Sequence, residues 1–321
     1  MCHYRFKDGS ECPHPDEGKG LCFWHDPTID KSGMDLKEKL ENIARDGQSM
    51  EGFHLARANL EGINLVRHGG KTGYSLARAD LYRTNLRGAH MFKVDLSEAS
   101  LMKADCREAN FHFADFRDAN LLGAKLDNAK IENVNWGKRL LHERMGHEAL
   151  KAHRRPEAMD YFEQGEEICR HLRKVGEAQG LFELSGTFFY KEMIMRRLQM
   201  PILSAQRWVS ALVDRFCGYG ERPARVIIFS MSFVFICAFL YFLMGIGSGG
   251  ELISLDLNKS VGENIISFFK TLYFSVVTFT TLGYGDIVPI GPSKVLAAIE
   301  AFTGSFTLAL FVVVFVKKMT R

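Results

Sequence analysis

"TTLGYGD", residues 280–286, sets two glycines and a tyrosine between two threonines and an aspartate. Glycine has no Cβ and reaches φ/ψ regions closed to other residues, so successive carbonyls in such a run can point one way. A file of carbonyl oxygens can replace the water shell of a cation. The loop lies in the part of the chain where apolar residues concentrate, after Arg225.

Two uncharged or nearly uncharged runs flank it. "VIIFSMSFVFICAFLYFLMGIG" (226–247) carries no charge, and "VLAAIEAFTGSFTLALFVVVFV" (295–316) is interrupted only by Glu300. At 1.5 Å per residue each is long enough for a hydrocarbon core of ~30 Å. Arg222 and Arg225 precede the first run, and Lys317, Lys318 and Arg321 follow the second; the intervening segment carries Glu251, Asp256 and Glu263 against Lys259. The positive-inside tendency puts both termini in the cytoplasm. Residues 264–280 are amphipathic and too polar for a lipid-facing span, so they read as a short re-entrant helix, tolerated at membrane depth when protein or water surrounds it.

This order of span, pore helix, glycine loop and span resembles the two-transmembrane potassium channels, over residues 225–318. The resemblance implies that the carbonyls of Thr281, Leu282, Gly283 and Tyr284, with the Thr281 hydroxyl, ligate K⁺. It also implies that Gly285 completes the filter and Asp286 marks its extracellular mouth. Leu282 stands in place of the commoner valine. Val277 stands where some members carry a glutamate that bonds the aspartate, a contact this sequence lacks. One loop supplies a quarter of a ring around an ion, so a homotetramer in a lipid bilayer is expected. Neither span carries an arginine ladder, so no voltage sensor is expected.

Gly304, Thr307, Phe311 and Phe315 follow 3, 4, 4 spacing and share one face of the second span. That face is expected to line the pore, with Gly304 permitting bending and Phe311 or Phe315 forming an apolar constriction. The alternative places the phenylalanines against lipid. Glu300, one turn before Gly304, is expected to bond within protein, because charge in lipid is costly.

The first two-thirds of the chain has a different period. From Leu55 the apolar centres are Leu55, Leu60 and Leu65. After "RHGGKTGYS" they run at intervals of five from Leu76 to Trp136, through Cys106, Phe111 and Phe116. Neither helix nor strand has period five. A fixed short period means a solenoid whose coils share one core. The pattern resembles the pentapeptide-repeat family, which implies a right-handed square β-solenoid over 50–136 with four repeats per coil. Sixteen centres give about four coils. "RHGGKTGYS" is a loop between coils, and Cys106 is core. Residues 51–136 hold 11 acidic and 12 basic residues, which excludes an acidic DNA-mimicking surface. A spacer or docking tower for an unidentified cytoplasmic partner is expected instead.

Residues 1–30 form a third module. Cys2, Cys12, Cys22 and His25 are spaced C-x9-C-x9-C-x2-H. In a reducing compartment three thiolates and an imidazole make a tetrahedral, structural zinc set. So short a polar segment could fold on its metal. The alternative is three unligated cysteines in a mobile tail, and His3 or His14 could substitute as ligands. The spacing resembles the plant WRC motif, whose second gap is one residue longer; only zinc ligation is carried over.

Residues 138–200 read as a helical connector resembling a tetratricopeptide-type hairpin, with a ligand-binding site as the alternative. Residues 201–217 read as an interfacial amphipathic helix starting at Pro201, with Ile202, Trp208, Val209, Leu212, Val213 and Phe216 on its apolar face. "GYGERP" (218–223) reads as a hinge. The N-terminus lacks an apolar stretch of the signal-peptide kind. A formal charge of +3 gives no pull towards nucleic acid, and none is expected as a partner. No nucleophile and base are patterned together, so no enzyme is expected.

The fold class is thus a multidomain membrane protein: a β-solenoid, an α-helical connector and an all-α two-span pore (spans 226–247 and 295–316, pore helix 264–280, filter 281–285). The function expected is a homotetrameric potassium channel of a bacterial plasma (inner) membrane, with K⁺ as the transported ion and structural Zn²⁺. A non-selective cation channel, or a membrane-tethered scaffold with a vestigial pore, are the alternatives.

Overall fold

The computed structural model describes residues 1–67, 69–70 and 72–319, without the side chains of Lys317 and Met319. His68 and Lys71 of the inter-coil insertion, Arg321 of the basic flank and the Lys317 side chain lie outside the described residues. The chain forms two compact units, Met1–Arg207 and Trp208–Arg321.

The first unit is built on the five-residue period. Parallel bridges join residues 20 apart, from Ser75 with Asp95 to Asp115 with Asn135, so one coil is four repeats. Across the insertion the bridges step by 26, as in His54 with Asp80, and six extra residues are looped out without breaking the ladder. Every centre from Leu55 to Ile131 is buried, Cys106 among them. The residue two places before most centres is small for a reason: it also points inward, and Ala79, Ala89, Ala99, Ala104 and Ala109 are fully enclosed. The chain turns at the residue two places after the centre. There φ is positive in Arg78, Arg83, Lys93, Glu98, Lys103, Glu108 and Phe113, and glycine takes the same place at Gly88 and Gly123. A left-handed non-glycine residue costs about 1–2 kcal/mol. The inter-coil ladder, for instance Leu76 N–H to Asp95 O at 2.8 Å and Asp95 N–H to Tyr74 O at 2.9 Å, offsets that cost.

Both solenoid ends are covered. Residues 1–36 pack on the first coil, where Asp35 bridges Asn59 and the Trp24 ring stacks on Phe53 at 5.1 Å. A short helix, α1 (Lys37–Arg45), buries Leu40 and Ala44. At the far end Trp136 stacks on Phe116 at 5.3 Å and meets Phe188 at 5.5 Å. Phe188 belongs to a three-helix layer, α2 (Leu141–Lys151), α3 (Arg155–Ala178) and α4 (Phe182–Gln199). Gln179 Nε2 donates to the Ala129 carbonyl at 2.6 Å, and Lys191 Nζ to that of Lys138 at 2.9 Å. An uncapped solenoid exposes its core and unpaired backbone. The stretch read as a connector is therefore also an end cap.

The second unit is helical. Helix α5 (Ala205–Cys217) follows Ser204, whose Oγ accepts the Arg207 N–H at 3.2 Å. Pro201 is thus outside the helix, three residues before the cap, and Ile202 lies off its apolar face. Trp208, Val209 and Leu212 are exposed along α5. One 3₁₀ turn (Gly218–Gly220), with Tyr219 at φ 55°, leads to α6 (Pro223–Met244). Gly245, at φ 87°, ends α6 earlier than hydropathy suggests. A three-stranded antiparallel sheet follows, in the order β2–β1–β3, from β1 (Ile246–Ser248), β2 (Glu251–Ile253) and β3 (Val288–Pro289). Helix α7 (Val261–Phe279) opens with a capping box in which Ser260 and Glu263 satisfy each other's backbone. Helix α8 runs Ser293–Met319. Pro223–Met244 and Ser293–Val316 are long and apolar enough to cross a membrane.

Candidate functional site

Helix α7 delivers the glycine loop. Its end is a Schellman motif: Thr281 N–H donates to Thr278 O and Leu282 N–H to Val277 O, both at 3.0 Å. That motif needs a left-handed residue after the cap, and Thr281 takes it at φ 58°. Gly283 (φ 60°) and Gly285 (φ 77°) continue in the same region, whereas Leu282 and Tyr284 do not. Alternating hands in successive residues is the condition for carbonyls to line up on one side. The Thr281 hydroxyl donates to Thr280 O at 2.7 Å. Leu282 and Tyr284 side chains are exposed in the single chain, as is Asp286.

Asp286 is tied to β1: its carbonyl accepts from Ser248 Oγ at 3.3 Å. Its carboxylate lies in the neighbourhood of the Tyr273 hydroxyl. Sequence reasoning registered the missing acid at position 277 and overlooked the tyrosine one turn earlier on the same helix face. The i, i−4 relation was the available signal.

The residues at 304, 307, 311 and 315 lie elsewhere than the spacing suggested. Gly304 and Thr307 are buried within the chain. With Ser293, Ala297, Glu300 and Val314 they form the seam by which α8 packs on the other helices. A Cβ at Gly304 would lie 1.9 Å from the Phe279 carbonyl oxygen. Phe311 packs on a cluster of Cys217, Val226 and Val314, and stacks on Phe315 at 5.6 Å. Spacing identifies which residues share a face; the contacts show that this face points into the protomer. Only Phe315 among the four is largely exposed.

Glu300 is fully buried. Tyr241 donates to its Oε2 at 2.7 Å, and Ser275 Oγ meets its Oε1. Neither partner was foreseen, because they lie 59 and 25 positions away in sequence.

The first unit gathers Cys2, Cys12, Cys22 and His25 so that their ligand atoms all lie within 4.8 Å of one another. Cys12 and Cys22 sulfurs are 3.8 Å apart; His25 Nδ1 is 3.2 Å from Cys22 Sγ and 3.5 Å from Cys2 Sγ. Zinc about 2.3 Å from each sulfur places tetrahedral ligands roughly 3.8 Å apart, so the set fits such an ion. His25 Nε2 lies 2.9 Å from the Glu51 carbonyl. A carbonyl only accepts, so Nε2 carries the hydrogen and Nδ1 offers its lone pair to the cluster. Burial pushes His25 down to about 4, which keeps the ring neutral, and pushes the Cys12 thiol up to about 12, so a thiolate there needs a cation beside it. Tyr4 stacks on His25 at 3.9 Å. His3 and His14 stand outside the set. The three cysteines belong to the same buried cluster as the solenoid centres.

The ion-channel family model matches residues 227–321, and the pentapeptide-repeat model matches 75–105 and 104–135 in eight copies. The chain carries an ion-channel domain and pentapeptide repeats. It is a membrane protein. The bridge ladder extends the repeats back beyond the matched range, to His54. Two pore potassium channel a of rice (Oryza sativa subsp. japonica) is 36% identical over 84 residues, 26% of this chain and 23% of that protein. The chain thus spans under a quarter of the length of that curated relative. Among solved structures, the pentapeptide repeat protein Rfr23 from the cyanobacterium Cyanothece 51142 is 27% identical, covering 27% of this chain and 59% of that one, at a TM-score of 0.18. HetL, a pentapeptide repeat protein from the cyanobacterium Nostoc sp. strain PCC 7120, is 28% identical, covering 26% and 50%, at a TM-score of 0.16.

Proposed function

We propose that the chain is one subunit of a homotetrameric, potassium-selective channel in a bacterial plasma membrane, with both termini in the cytoplasm and no enzymatic activity. The observation that carries this reading is the alternation of positive φ at Thr281, Gly283 and Gly285 in a TTLGYGD loop between a helix and a candidate span. Carbonyls of Thr281, Leu282, Gly283 and Tyr284 then ligate dehydrated K⁺, with Gly285 closing the loop and Asp286 at the mouth. The carboxyl end of α7 carries about half a negative elementary charge, which favours a cation beside Thr281. Four copies complete the ring. The exposed loop side chains are the surface such copies would cover.

The right-handed solenoid serves regulation or assembly, and zinc on Cys2, Cys12, Cys22 and His25 fixes its N-terminal end. Potassium transport by the rice relative supports the ion assignment. Phe315, exposed near the end of α8, is the residue of the four best placed for an inner constriction.

The test is Gly285→Ala in reconstituted full-length protein. A Cβ at φ 77° is strained, so K⁺ preference or conduction collapses while assembly persists. An unchanged preference for K⁺ over Na⁺ would sink the filter assignment.

A further inference from the structure

We infer that Glu300 is held as the neutral acid and acts as the positioning residue of the pore helix, donating its own hydrogen to Ser275. The argument is a count of hydrogens. The Ser275 hydroxyl has one. Two oxygens compete for it: Val234 O of α6 at 2.9 Å, and Glu300 Oε1. The other carboxyl oxygen, Oε2, already receives the Tyr241 hydrogen at 2.7 Å. With an ionised carboxylate, one of the two Ser275 contacts would be oxygen against oxygen with no hydrogen between. With a neutral carboxyl every contact is filled. Oε1–H donates to Ser275 Oγ, Ser275 donates to Val234 O, and Tyr241 donates to Oε2.

The surroundings agree with that count. The polar groups facing Glu300 are Tyr241 and Cys237 on α6 and Ser275 on α7; among the described residues no lysine, arginine or histidine faces it. A buried carboxylate without a counter-charge is strongly disfavoured. The relay joins all three helices at one level. Ser275 is one turn before Phe279, and Glu300 one turn before Gly304, so the relay and the Gly304–Phe279 contact are adjacent rungs. Together they fix the last turn of α7, and so the position from which Thr281 enters the loop. The consequence for conduction rests on the channel reading above; the protonation of Glu300 does not.

Two readouts on full-length protein in lipid test it. Infrared difference spectra at neutral pH should show the carbonyl stretch of a protonated carboxyl that vanishes in Glu300→Gln and shifts in Ser275→Ala. In reconstituted bilayers Glu300→Ala should lower K⁺ current by about tenfold, the equivalent of one buried hydrogen bond lost. Glu300→Gln, whose amide can donate to Ser275 and accept from Tyr241, should rescue most of that loss. A carboxylate band lost in Glu300→Gln with no acid band, or a Gln variant as impaired as Ala, would overturn the inference. If Glu300→Ala does not fold, the infrared comparison of wild type with Glu300→Gln decides alone. An acid band in a protein that carries no current would uphold Glu300 and discard the channel reading.

Discussion

Gly304 abuts Phe279 so closely that a Cβ on it would sit 1.9 Å from the Phe279 carbonyl oxygen and 3.0 Å from its Cα. Backbone cannot yield as a flexible side chain can, so the position requires glycine for close approach, whatever bending it also allows. Overpacking at such a contact costs about 1–3 kcal/mol. Gly304→Ala should lower the thermal midpoint of the solubilised protein and disturb conduction, since the displaced turn is the one that enters the loop. Gly262→Ala, at a helical glycine where an added Cβ would meet only Ser260 Oγ at 4.0 Å, is the control and should disturb conduction less. Equal effects would detach the contact from function.

Tyr273, one turn before Val277 on α7, is the hydroxyl in the neighbourhood of the Asp286 carboxylate. Tyr273→Phe and Asp286→Asn should each hasten the decay of current during sustained opening. Two side chains that act through one another should not add, so the double variant should decay no faster than the worse single one. Additive effects measured by single-channel recording would show that the two residues act apart.

His142 is buried in α2, and its Nδ1 has no partner. Burial pushes it down to about 4 from an ordinary value of 6.5. Between these values the unfolded chain binds a proton that the fold does not, so stability rises with pH. The contribution is complete above 6.5 and is lost as pH falls towards 4. Thermal midpoints recorded across that window should fall with acid, and His142→Gln should flatten the slope. An unchanged slope would assign the acid sensitivity elsewhere.

Metal analysis of purified protein should find zinc held by Cys2, Cys12, Cys22 and His25. The paired change Cys12→Ser with Cys22→Ser should abolish it and lower the midpoint of the solenoid, because these sulfurs share its core. Cys106→Ser should keep the metal, since that thiol is enclosed at a repeat centre. Equal metal content in all three proteins would leave the cluster as packed thiols.

The five-residue period and the glycine loop were legible in sequence because each repeats or concentrates one physical demand. A centre such as Leu101 must be apolar, its partner Ala99 must be small, and Gly283 must reach positive φ. Three things were not legible. Strands of two or three residues, β1 to β3, are too short to show alternation. Trp136 read as one more repeat centre, and nothing local says that it meets Phe188 edge to face, 52 residues on. The face shared by Gly304, Thr307 and Phe311 followed from spacing, but its direction depends on Phe279 and Val226, contacts that only the fold creates. Helix α5 was misplaced at its start because Pro201 fits a first turn as well as Ser204 fits a cap, and the side-chain bond from Ser204 to Arg207 decided.

The most direct measurement is the reversal potential of full-length protein in planar bilayers with K⁺ on one side and Na⁺ on the other. A filter of dehydrating carbonyls predicts reversal close to the K⁺ equilibrium value, unchanged when residues 1–136 are removed, because every filter atom lies after Thr280. Reversal near zero would contradict potassium selectivity and leave a non-selective cation pore.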